Sequence, residues 1–115
     1  MTSPYARARQ TAEIAGHALG IPDRVEVCPQ LAAGASPSEI VRVVAERCQE
    51  DHRVMLIGHE PDLGQLVSLL VCGDDRASFR MKKAGLTKLS VEGPLAGRCA
   101  VLEWHLWPRH MLLMA

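Results

Sequence analysis

Residues 54–57, Val-Met-Leu-Ile, form an unbroken apolar run set between charged residues and Gly58. A strand that is apolar on both faces belongs at the centre of a parallel sheet, where crossover helices cover both sides. Both flanks agree with that placement. Upstream, Ser36-Pro37-Ser38-Glu39 supplies an N-cap serine, a first-turn proline and a Glu three residues after the cap. Ile40, Val43, Val44 and Cys48 then share one helical face. Downstream, residues 63–72 return to helical spacing and Gly73 closes that helix.

The remaining segments extend the alternation. Residues 4–19 carry Ala8, Ala12, Ala15 and Leu19 at helical spacing behind a Ser3-Pro4 start, and Gly20 ends them. Residues 24–28 alternate polar and apolar as a half-buried strand does, and residues 29–35 read as a loop. Residues 73–83 are polar and basic, a loop or a short helix. Residues 86–91 and 100–106 alternate as two antiparallel strands joined by a turn at residues 93–97. The order α-β-α-β-α-β-β predicts a single α/β domain over residues 1–115, layered, with a mostly parallel sheet and helices on both faces. Because the chain opens on a helix, the strand at 54–57 has too few parallel neighbours to cover both its edges. The expectation is that a strand is missing before Met1.

Thirteen basic and thirteen acidic residues cancel at a sequence pI near 7.0, so no general affinity for nucleic acid or acidic membranes is expected. Cys28, Cys48, Cys72 and Cys99 lie far apart, outside any zinc-ligand spacing, and read as core thiols of a reducing cytoplasm. The first residues have neither the basic nor the apolar region of a signal peptide, and no apolar run reaches membrane-spanning length. A cytoplasmic location is expected.

Ligands of open α/β sheets collect beyond the carboxyl ends of the strands, which is where Gly58-His59 falls. Two readings of His59 stand on position alone: an imidazole donating to a phosphoryl oxygen beside a helix N-terminus, or a structural histidine capping the turn. Arg7 and Arg9 occupy the first turns of the first helix, where the backbone dipole prefers anions. Either an anion sits between them, clamped by a guanidinium fork, or both are solvated on an exposed face.

Taken together, Ser3-Pro4-Tyr5, Arg7-Ala8, Gln10-Thr11-Ala12, the later apolar strand and Gly58-His59 with Pro61 and Leu63 resemble two signature blocks of the histidine phosphatase (phosphoglycerate mutase-like) superfamily. The likeness is to its small SixA-type phosphohistidine phosphatases. It continues through residues 28–35, the Lys-Ala-Gly segment within residues 79–89 and the ending at residues 102–109. The resemblance implies a phosphoglycerate mutase-like layered sandwich and a metal-free reaction without cofactor. A histidine takes the phosphoryl group and water then releases it, while arginines and a second histidine neutralise charge on the transferred oxygens. By motif position Arg7 is a phosphate-pocket arginine and His59 is the second histidine, so both are catalytic and phosphate-binding; Arg9 and Gln10 are supporting positions.

The chain departs from the family at one place. It contains no Arg-His-Gly or Arg-His-Ala, the motif that carries the nucleophile, and its Arg109-His110 pair falls where the family has a basic tail. His110 is read as a tail residue, and His17, His52 and His105 as solvated or packed. The larger members' inserted carboxylate is absent as well, since residues 31–38 are short and contain no Asp or Glu. That absence suits a phosphoramidate, whose imidazole leaves readily. The expected partner is therefore a phosphohistidine-bearing protein, or else a small phosphorylated substrate, with room for a dimer through exposed sheet edges. Two functions follow: a phosphohistidine phosphatase in its intact form, or a non-catalytic phosphate- or phosphoprotein-binding remnant of the same fold.

Overall fold

A computed structural model describes residues 1–48, 53–79, 81, 85–96 and 98–106. It divides into two compact units, Met1–Asp62 and Leu63–Ala115.

The first unit contains helix α1 (Ala6–Ala18), 3₁₀ turns at Pro22–Arg24 and Pro29–Leu31, and helix α2 (Pro37–Arg47). Helix α1 buries Ala8, Ala12 and Gly16, a stripe of small residues four apart. The expected stripe through Ala15 and Leu19 is corrected here: Ala15 is half-buried and Leu19 is exposed. The reason is close approach, since a Cβ at Gly16 would lie 2.8 Å from Val25 Cγ2 and 3.4 Å from Pro22 Cα. Only a glycine lets the turn after α1 fold back at this distance.

Helix α2 starts at the expected place, with Ser36 at its N-cap and Pro37 in its first turn, but the capping box is not made. Glu39 pairs with Arg42 at 2.9 Å instead, and Glu46 pairs with the same arginine at 3.0 Å. The buried face is narrower than expected: Ile40 and Val43 are buried, while Val44 and Cys48 are half-buried. Together with Leu31 and Cys28, Ile40 and Val43 make the apolar centre of this unit. Burying a side chain of the size of Ile40 or Leu31 contributes about 1.5–3 kcal/mol.

The expected strands at 24–28 and 54–57 are reduced to single parallel bridges on either side of Thr2, Thr2 to Val27 and Thr2 to Ile57. The Thr2 amide donates to Glu26 O at 2.8 Å and the Cys28 amide to Thr2 O at 2.7 Å. On the other side the Ser3 amide donates to Ile57 O at 2.9 Å and the Ile57 amide to Met1 O at 3.0 Å. The apolar run is not buried on both faces, because Val54 and Met55 are 40% and 39% exposed. Among the described residues this run bridges to a neighbour on one flank only. The mostly parallel sheet is therefore present here as these bridges, not as regular strands.

The second unit holds most of helix α3 (Asp62–Cys72) and the hairpin of β1 (Leu86–Val91) and β2 (Ala100–Leu106), all at their expected positions. The hairpin is antiparallel, with a bulge that places Glu103 between the Lys88–Trp104 and Leu89–Leu102 pairs. It is the only sheet of regular strands among the described residues. The carbonyls that end α3 are satisfied by its own neighbours: Gly73, at φ +92°, and Arg98 both donate to Leu69 O at 3.0 Å, and Cys99 donates to Leu70 O at 2.8 Å. Buried Ser68 shapes the following loop, its hydroxyl donating to Asp74 O and accepting from the Ala77 amide.

All four cysteines are free. Cys28 is in the core, but Cys72, read from sequence as a core thiol, is exposed at the last position of α3. No helix among the described residues is long and apolar enough to cross a membrane.

Candidate active site

The functional residues expected in the first unit lie where its bridged segments end. Ile57 is fixed by its bridge to Thr2, so the chain leaves it through Gly58 and presents His59 one step beyond. Met1–Ser3 runs parallel to that segment, so Ser3 reaches the same end of it. The result is a contact between residues 56 apart in sequence, His59 Nε2 to Ser3 Oγ at 2.7 Å. Ser3 is fully buried, and its Oγ also accepts from the Tyr5 amide at 3.3 Å.

Tyr5 completes the corner. Its ring lies 5.1 Å from the His59 imidazole, centre to centre, tilted by 55°. Tyr5 is also the N-cap residue of α1, half exposed, and makes no side-chain cap. The helix therefore begins two residues later than the Ser3-Pro4 start read from sequence. Its first turn carries Arg7 and contains no acidic residue. The free amides and the positive end of the helix dipole suit an anion at this point.

Arg7 and Arg9 are both exposed, and neither guanidinium has an ion pair among the described residues. The Arg7 carbonyl accepts from the Thr11 hydroxyl at 3.1 Å. His59 is thus joined directly to Ser3 and Tyr5, and Arg7 follows two residues after Tyr5 on the adjoining helix turn. No direct bond joins Arg7 to His59 in this structure. Gln10 is exposed on α1.

The short loop before α2 carries no acid of its own, yet a carboxylate does reach it. Asp62, at the start of α3 and 5% exposed, accepts from the Gly34 amide through Oδ2 at 2.8 Å. Buried and engaged by a backbone amide, this carboxylate anchors the loop. Gly34 has φ +89°, which favours glycine at that turn.

The other histidines fall as follows. His17 is exposed in the last turn of α1. His105 is half-buried on β2, its Nδ1 2.6 Å from Thr87 Oγ1 on the paired strand. His52, His110, Trp107 and the Met-Leu-Leu-Met tail lie outside the described residues. Sequence reasoning missed Ser3 and Tyr5 as site residues. The Ser-Pro pair reads as a helix start, and a hydrogen bond across more than fifty residues leaves no local pattern.

The described backbone has a phosphoglycerate mutase-like α/β fold. The solved structure that shows this is that of the protein histidine phosphatase SixA complexed with tungstate: TM-score 0.73 and 24% identity, over 95% of this chain and 67% of that one. No family model matches the chain. Among curated proteins, it is 37% identical over 92 residues to an uncharacterized protein of a Picosynechococcus strain. That match covers 77% of this chain and 54% of the relative, so the chain spans about half the length of the curated relative it matches.

Proposed function

We propose that these residues form the phosphate pocket of a phosphohistidine phosphatase, with Arg7 and His59 as its phosphate-binding and catalytic pair. The observation that carries this reading is the corner built by Ser3, Tyr5 and His59. A histidine hydrogen-bonded to a buried hydroxyl contacts the N-cap residue of a helix whose first turn has no acid and carries Arg7, which has no ion pair among the described residues. The likeness in fold to a histidine phosphatase supports it.

In the proposed reaction a nucleophilic histidine attacks phosphorus in line. The bond from phosphorus to the substrate's imidazole nitrogen breaks, and that nitrogen takes up a proton. Water then displaces the enzyme's phosphohistidine to give inorganic phosphate. Arg7 offers a planar fork to the non-bridging oxygens, and His59 donates to an oxygen whose charge grows in the transition state. The short loop before α2, which contains no Asp or Glu, fits a leaving group that needs no carboxylic acid and favours a protein-borne phosphohistidine over a phosphate ester.

No residue of this sequence is proposed as the nucleophile, which makes the test one of hydrolysis against binding alone. The native gene product is assayed for phosphate release from a phosphohistidine protein, with Arg7→Ala and His59→Ala beside it. Release lost by at least about a hundredfold in both variants supports the phosphatase. Phosphate binding that needs Arg7 but comes without turnover favours the second reading, a non-catalytic phosphate-binding domain.

A further inference from the structure

We infer that Ser3 is a positioning residue that fixes which nitrogen of His59 faces the phosphoryl group, an inference that rests on the phosphate-pocket reading. Ser3 has no solvent exposure, and its amide is tied to Ile57 O at 2.9 Å, so its hydroxyl sits on a rigid support two residues from the histidine it holds. A serine Oγ offers one hydrogen and two lone pairs. The Tyr5 amide takes one lone pair, leaving the hydrogen and the second lone pair to address His59 Nε2 at 2.7 Å.

In a neutral ring the two remaining valences give opposite tautomers, and burial favours donation by the hydroxyl, whose hydrogen has no other acceptor among the described residues. When the imidazole is neutral, the hydroxyl donates to Nε2 and the ring proton resides on Nδ1. When the imidazole is cationic, Nε2–H donates to Oγ and Nδ1 is again protonated. In either charge state Nδ1 presents an N–H, so an incoming phosphoryl oxygen always meets a donor. The tilted Tyr5 ring against the imidazole restricts rotation that would exchange the two nitrogens. A serine–histidine contact of this length could be mistaken for a nucleophile and its base. Complete burial of Ser3 denies its oxygen any approach to a substrate.

The test uses the ¹⁵N-labelled chain, long-range proton–nitrogen correlation of His59 at mildly alkaline pH where imidazoles are neutral, and a titration with inorganic phosphate. Wild type is expected to show the Nδ1–H tautomer. Ser3→Ala should move the ring toward the Nε2–H form that a free imidazole prefers, and should weaken phosphate binding about tenfold. Ser3→Thr, which keeps the hydroxyl, should retain both properties. A wild-type ring in the Nε2–H form, or an unchanged tautomer in Ser3→Ala, would overturn the assignment, and neither result depends on how the threonine variant folds. A wild-type chain with the Nδ1–H tautomer and no phosphate affinity would instead overturn the phosphate reading, so the two failures are distinguishable.

Discussion

Replacing Asp62 with alanine tests whether its carboxylate anchors the loop before α2. The carboxylate of Asp62 accepts from the Gly34 amide at 2.8 Å and occupies the first turn of α3. A hydrogen bond to a charged acceptor contributes about 1.5–3 kcal/mol, and a negative charge at a helix N-terminus adds about 0.3–1 kcal/mol. Two effects reduce the loss. Gly34 is exposed, so its amide can regain water, and the variant no longer desolvates a carboxylate that is only 5% exposed. The net expectation is a loss of about 2 kcal/mol, lowering the melting temperature by about 10 °C for a domain of this size. Asp62→Asn keeps an acceptor without the charge and should lose about half as much, roughly 1 kcal/mol. Urea unfolding of the three proteins gives the energies, and hydrogen exchange at the Gly34 amide reports the local bond. An Asp62→Ala protein within about 0.5 kcal/mol of wild type, with unchanged exchange at Gly34, would refute the reasoning.

Two further predictions concern packing and pH. Gly16→Ala gains about 0.5–1 kcal/mol of helix preference but drives a methyl to 2.8 Å from Val25 Cγ2. Overpacking costs about 1–3 kcal/mol, so the variant should be less stable than wild type in urea, and a more stable one contradicts the close approach. The Arg76 amide at 3.0 Å, together with its guanidinium at 3.1 Å, holds the Asp74 carboxyl below the usual aspartate range. A depressed carboxyl gives stability that is complete above the unfolded value and is lost as pH falls through the folded one. Its carboxyl carbon should therefore titrate lower than a free aspartate, and Arg76→Ala, which keeps the amide, should restore only part of the shift.

What the sequence made legible depended on how local the determining interaction was. The three helices and the hairpin were readable because their periodicity is carried within each segment, down to Pro37 in the first turn of α2 and Gly73 at the end of α3. The segments at 24–28 and 54–57 read as full strands because alternation in the one and apolar content in the other report burial, whereas a strand also needs neighbours to bridge. Each has Met1–Ser3 beside it and makes one bridge there. Sequence placed His59 beyond a strand-like segment and Arg7 on the first turn of a helix, as observed. The hydroxyl that holds His59 and the carboxylate that anchors Gly34 were hidden, since each acts across tens of residues and belongs to a type common in turns and caps.

Whether Arg7 and His59 share one phosphate is decided by a crystal structure of the chain grown with tungstate or phosphate. The expected result is an oxyanion at the start of α1, held by the Arg7 guanidinium and by Nδ1 of His59 while Nε2 stays on Ser3. An anion that touches only one of the two side chains, or none bound there at concentrations that saturate a phosphate pocket, would contradict it.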